Sequence, residues 1–154
     1  MNQFIFPEDD EARRSAKTYV ELGQVGLTVL RRMSMGVGTK PIGQVCGPIS
    51  HGGLGSVAAN LRVFSEWIER LQDKRIAIFD QVPFERDMFR IWHENGGTDG
   101  EGNSNDALLV GFYIPLFESG LIKKLYFIPG WSESYGSLWE HRQARRLGIA
   151  IDYL

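Results

Sequence analysis

Residues 125–147 constrain this 154-residue chain more than any other stretch. An apolar run, Leu125-Tyr126-Phe127-Ile128, enters the turn Pro129-Gly130-Trp131-Ser132-Glu133-Ser134-Tyr135-Gly136. A helical pattern leaves that turn and runs to Leu147. Strand, tight turn and helix in that order form the repeating unit of a parallel sheet, whose crossovers are helical. In open α/β sheets, ligands bind at the carboxyl ends of the strands. The free N–H groups and dipole of a helix start favour an anion there. A single carboxylate, Glu140, follows one turn into the helix.

The rest of the chain repeats the alternation. Residues 1–8 read as a tail. Asp9 or Asp10 caps a helix running towards Met33, with Tyr19, Leu22, Val25, Val29 and Met33 on one face, although Gly23 and Gly26 weaken the pattern. A strand at residues 42–46 stops at a turn with four glycines, Gly47, Gly52, Gly53 and Gly55. Ser56 caps a helix whose stripe is Val57, Leu61, Phe64, Ile68 and Leu71. Residues 75–79 form the second strand, 84–94 a helix, and 95–105 a polar glycine-rich loop. A helix from Asp106 to about Gly120, a strand at 125–128, a helix at 134–147 and a strand at 149–153 complete the pattern. The expected fold is therefore α/β, with a parallel sheet, helices on both faces and right-handed crossovers. Residues 1–41 form an N-terminal helical extension and 42–154 the α/β domain.

Composition removes several classes. Acidic residues outnumber basic ones by 19 to 17, so no basic field awaits duplex nucleic acid. Cys46 is the only cysteine, which excludes an internal disulfide and a cysteine-rich zinc site. No two histidines have metal-ligand spacing, so neither a metal nor a cofactor is expected. The first ten residues lack the regions of a signal peptide, and no apolar run spans a bilayer. The expectation is a cytoplasmic protein with no membrane partner. The acidic stretch of residues 99–106 resembles part of a calcium loop but lacks its glycine and closing glutamate, and reads as a solvated lid.

Two glycine-rich βα turns of one parallel sheet open on the same edge and face one pocket. Glycine allows close backbone approach to a ligand, and the exposed N–H groups hold an anion. The candidate phosphate contacts are Gly47, Ile49, Ser50, His51, Gly52 and Gly53 in the first turn, with Ser132, Ser134 and Gly136 in the second. Trp131 is the candidate for stacking on a base. His93 and His141 read as surface residues of helices, and Arg142, Arg145 and Arg146 as a solvated face. A phosphate cradle beside Glu140 points to chemistry on a phosphorylated sugar or nucleotide. Asp80 ends the second strand, where an aspartate either caps the turn or supplies an acid; Asp106 is the alternative acid.

The residues also resemble a known superfamily. Cys46-Gly47-Pro48-Ile49-Ser50-His51-Gly52-Gly53 resembles the opening turn of 2′-deoxynucleoside 5′-monophosphate N-glycosidases, with one extra residue before the glycine pair. Ser134-Tyr135-Gly136-Ser137-Leu138-Trp139-Glu140 is similar to that family's Ser-Leu-Gly-Val-Gly-Tyr-Glu. Ala144 with Leu147-Gly148-Ile149-Ala150-Ile151 resembles the close of the nucleoside 2-deoxyribosyltransferase superfamily. The form Pro-Gly-Trp-x-x-Ser-x-Gly looks most like an uncharacterised branch of it. The resemblance spans about residues 42–154 and implies a flavodoxin-like sheet, a homo-oligomer and cleavage of a deoxynucleotide's base–sugar bond. It makes Glu140 the nucleophile, kept ionised by the helix start. The chain departs from the pattern at three places. Gln44 stands where the family has a tyrosine. Phe112-Tyr113-Ile114-Pro115-Leu116 occupies the region of its helical aspartate, and Lys123 or Lys124 replaces an aspartate before the third strand. The motif also resembles the Pro-Gly-Gly-x-Gly-Thr-x-x-Glu of nucleotide phosphoribohydrolases. A non-catalytic nucleotide sensor of the same fold is the reading from another class.

Overall fold

The computed structural model describes residues 3–49, 52–97 and 106–154. The elements run α1 (Pro7–Ser15), α2 (Tyr19–Gly36), β1 (Ile42–Cys46), α3 (Val57–Asp73), β2 (Ala77–Ile78) and α4 (Val82–Glu94). A composite helix follows, made of α5 (Asp106–Leu108), a π-helical segment (Leu109–Tyr113) and α6 (Ile114–Glu118). β3 (Ile122–Phe127), a 3₁₀ turn (Trp131–Glu133), α7 (Tyr135–Leu147) and β4 (Ala150–Tyr153) close the chain. The four strands form one sheet in the order β2-β1-β3-β4, and every pairing is parallel. This is a flavodoxin-like α/β arrangement. The order reverses between β1 and β3, the place where such sheets bind ligands.

Strand alternation assigns the two faces. Ile42, Cys46, Leu125 and Phe127 point into one core with Leu22, Leu30, Met33, Phe84, Met88, Phe112 and Ala144, from α2, α4, the π segment and α7. Val45, Ile78, Tyr126 and Ile128 point into the other with Phe64, Ile68 and Leu71 of α3. Right-handed crossovers require this division, because the β1-to-β2 step runs opposite to the later ones. Among the described residues, no helix is long and apolar enough to cross a membrane.

Several expected boundaries shift, each for a local reason. The single N-terminal helix is two. Pro7 begins α1, where the Asp9 carboxylate accepts the Phe6 N–H at 2.7 Å. α2 restarts at Thr18, whose hydroxyl accepts the Glu21 N–H at 3.1 Å while the Glu21 carboxylate accepts the Lys17 N–H at 2.7 Å. The second strand shrinks to two residues because Arg75 is the left-handed cap of α3, at φ 61°. α4 begins two residues early, with Pro83 in its first turn. β3 begins at Ile122, and Lys123 is an extra residue where its pairing with β1 shifts register. Ser56 caps α3 as the sequence indicates, and Ser134, expected as the first residue of the last helix, is instead the cap of α7.

The N-terminal extension packs into the larger core. Gly23 and Gly26, which weaken the helical pattern, are what allow the contact. A Cβ on Gly23 would lie 2.9 Å from the Gly111 carbonyl oxygen, and one on Gly26 would lie 3.3 Å from the Phe112 ring. Arg32 pairs with Asp9 at 2.5 Å, and Arg13 with Asp87, which fastens α1 to α2 and α4.

Candidate functional site

The two βα turns meet. A Cβ on Gly52 would lie 3.2 Å from the Glu133 Cβ and 3.3 Å from its carbonyl oxygen. In the first turn, Gly52 and Gly53 have φ of 73° and 59°, which favours glycine at both positions. Buried Asn60 of α3 ties this turn together. Its Nδ2 donates to the carbonyls of Ile49 at 2.9 Å and Gly52 at 3.2 Å, and its Oδ1 accepts the Leu54 N–H at 2.9 Å. Gly47 is small for a packing reason, since a Cβ there would come within 2.3 Å of Ile128. Ser50 and His51 lie outside the described residues, as does the 98–105 stretch; the side chain of Asp106 does too.

In the second turn, Gly130 takes a left-handed conformation and Ser132 is exposed. The Ser134 hydroxyl accepts the Ser137 N–H at 3.4 Å. Gly136 is half-buried, and a Cβ there would lie 3.8 Å from the Ser134 Oγ. Trp131 lies against His141, with ring centroids 4.6 Å apart and planes 13° apart. The His141 Nε2 lies 2.7 Å from the Tyr153 hydroxyl. His141 is thus part of an aromatic stack and not a plain surface residue. Burial, helped by Arg145, lowers its pKa. Asp80 holds its own turn: its carboxylate accepts the Val82 N–H at 3.0 Å, and burial raises its pKa.

Below the turns, Glu140 sits in a buried polar cluster. It is 8% exposed, and its Oε2 accepts from the Cys46 thiol and from the Gln44 Nε2 at 3.3 Å. Gln44 and Cys46 alternate on β1 and so share a face. The Gln44 Oε1 and the Ser137 Oγ are buried without a hydrogen-bond partner among the described residues, and Ser137 precedes Glu140 by three residues on the same helical face. Besides burial, a second buried carboxyl, Glu85, raises the pKa of Glu140. Glu85 of α4 accepts a hydrogen bond from the Tyr113 hydroxyl, and both side chains are buried. The Glu85 and Glu140 charges act on each other, and Tyr113 senses both.

The electrostatics correct one expectation. Glu140 is the sixth residue of α7, too deep for the helix start to govern its ionisation. Burial and the nearby Glu85 push its pKa up to about 8, against the opposing hydrogen bonds from Cys46 and Gln44. Burial likewise pushes Glu85 up to about 7, opposed by the Tyr113 hydrogen bond. The Cys46 thiol is raised by burial and by Glu140. Glu140 is therefore biased towards its protonated form relative to an ordinary carboxylate.

Sequence reasoning missed Glu85 and Tyr113 as partners of Glu140. Glu85 had one signal, a carboxylate three residues before Met88 on the apolar side of its helix. Tyr113 had none, because the π turn that aims it is invisible to a 3.6-residue period. No family model matches the chain, nor does any curated protein or solved structure.

Proposed function

We propose that the chain cleaves the base–sugar bond of a (deoxy)nucleoside 5′-monophosphate, as an N-glycosidase or deoxyribosyltransferase with Glu140 as nucleophile. The observation that carries this reading is the buried Glu140 carboxyl beneath two touching βα turns, flanked by the unpartnered Gln44 Oε1 and Ser137 Oγ. The turns would take the 5′-phosphate on their backbone N–H groups, with Ser132, Ser134 and Gly136 at one side. Anchoring the phosphate holds the sugar against Glu140 and turns binding energy into orientation. Glu140 then attacks C1′, the bonding pair leaves with the base, and a glycosyl ester forms. Water or a second base releases the sugar and restores the carboxylate.

A specific observation favours the second reading, a nucleotide sensor without catalysis. A carboxyl with a pKa near 8 is mostly protonated at neutral pH, and a nucleophile must be ionised. One experiment separates the two. Wild-type protein and Glu140→Ala are incubated with each deoxynucleoside monophosphate, and free base is quantified. Base release in the wild type that disappears in the variant supports the enzyme. Binding without release supports the sensor. Equal release from both proteins removes Glu140 from the chemistry.

A further inference from the structure

We propose that the cleft at the amino ends of β1 and β2 is a second ligand site, which takes a small phosphomonoester with an apolar body between Lys40 and Arg75. It lies at the opposite end of β1 from the two turns, and it stands whether or not Glu140 is a nucleophile.

The register of the sheet brings the two cations together. Ile42 of β1 pairs with Ala77 of β2. Lys40 and Arg75 each precede that pair by two positions, so parallel pairing carries both to the same edge of the sheet. They line one cleft of about 360 Å³, within the roughly 300–1,000 Å³ of small-molecule sites. Met33 and Ile78, both buried, give the cleft an apolar floor, and Gln3 and Gln72 add side-chain amides. Phe4 is a fixed wall. Its ring fills the space of a side chain on Gly36, where a Cβ would lie 2.5 Å from its Cε1, and Arg32 donates to its carbonyl at 2.6 Å.

The charge of the cleft is unanswered. No acidic residue lines it. Among the described residues neither Lys40 nor Arg75 forms an ion pair. α2 and α3 both end here, and their dipoles favour positive charge at those ends. Neither cation's side chain donates to the helix carbonyls, so both keep their donors open in a protein of net charge −2. Arg75 is also held at φ 61°, the one non-glycine residue with a positive φ among those described. Glycine is at ease in that conformation, and the chain instead carries a guanidinium there against the backbone preference.

Two cations match the nearly double charge of a phosphomonoester at neutral pH. The guanidinium fork would take two phosphate oxygens, Lys40 would act as a point charge, and the amides of Gln3 and Gln72 would serve the third oxygen. A carboxylate, with one charge and two oxygens, leaves donors unused. The apolar floor receives the organic part of the ligand.

The test uses phenyl phosphate as probe, followed by two-dimensional NMR of the whole chain. Inorganic phosphate and benzyl alcohol present the charge and the ring separately, and benzoate presents the ring with a carboxylate. Phenyl phosphate should shift the amides of residues 36–40 and 72–78 in the wild type and in Glu140→Ala alike. It should bind about 10-fold or more tightly than any of the other three. Arg75→Gly suits the left-handed backbone and Lys40→Gln changes an exposed side chain, so the double variant should keep its Tm and bind phenyl phosphate about 10-fold or more weakly. No shift in those two segments at millimolar probe, or shifts confined to the turns near Glu140, overturns the site. Binding undiminished in the double variant overturns the role of the cations. Benzyl alcohol or benzoate binding as tightly as phenyl phosphate overturns the ligand class.

Discussion

Glu85 and Glu140 make the folded protein sensitive to pH in an unusual direction. Both pKa values are raised in the folded state, to about 7 and about 8, so the folded state binds more protons than the unfolded state above the ordinary carboxylate range. By linkage, their contribution is fully present below about pH 4.5 and is lost as pH rises through 7 to 8. Thermal melts should therefore show stability falling between about pH 5 and pH 8, by an amount on the order of a few kcal/mol. Glu140→Gln should flatten that slope. A slope of the opposite sign in the wild type would mean that a cation reaches the pair. At this scale the sequence marked Glu140 strongly and Glu85 only by its place on the apolar side of its helix. Glu140 stands in a motif of turn residues, whereas Glu85 depends on what four separate elements bring to it.

At the scale of elements, α2 and the π segment approach each other closely in the larger core, with Gly23 and Gly111 at the contact. Gly23→Ala tests it. Alanine favours a helix interior over glycine by about 1 kcal/mol. Its Cβ would lie 2.9 Å from the Gly111 carbonyl oxygen and 3.4 Å from the Phe112 Cα, both backbone atoms that cannot swing aside. Overpacking of that kind costs about 1–3 kcal/mol, so urea denaturation should report a net loss of up to about 2 kcal/mol. A net gain would show that α2 is free to move away. The π segment has a local cause as well. Pro115 lacks an N–H and would crowd the carbonyl of Gly111 in a regular helix, and the wider turn before it relieves the crowding. Periodicity located the helix and missed the bulge, and the bulge is what directs Tyr113 towards Glu85.

For the whole molecule, the strand order β2-β1-β3-β4 places β1 beside β3 and brings the turns that follow them together. A nucleoside 5′-monophosphate at about a hundred times its dissociation constant should stabilise the protein by about 2.7 kcal/mol. That corresponds to a rise of roughly 5–10 °C in Tm for a chain of this size. No shift with any nucleotide at millimolar concentration would count against the pocket. The sequence by itself determined the alternation of strands and helices, the cap at Ser56 and the position of Glu140 beyond a strand-end turn, because each depends on residues within a few positions of one another. The tertiary structure alone decided that α2 joins the core and that Glu140 is buried, with its pKa raised. It also placed Glu85 and Tyr113 beside Glu140. Those outcomes depend on desolvation and on packing between residues as far apart as Gln44 and Glu140, which no local pattern encodes.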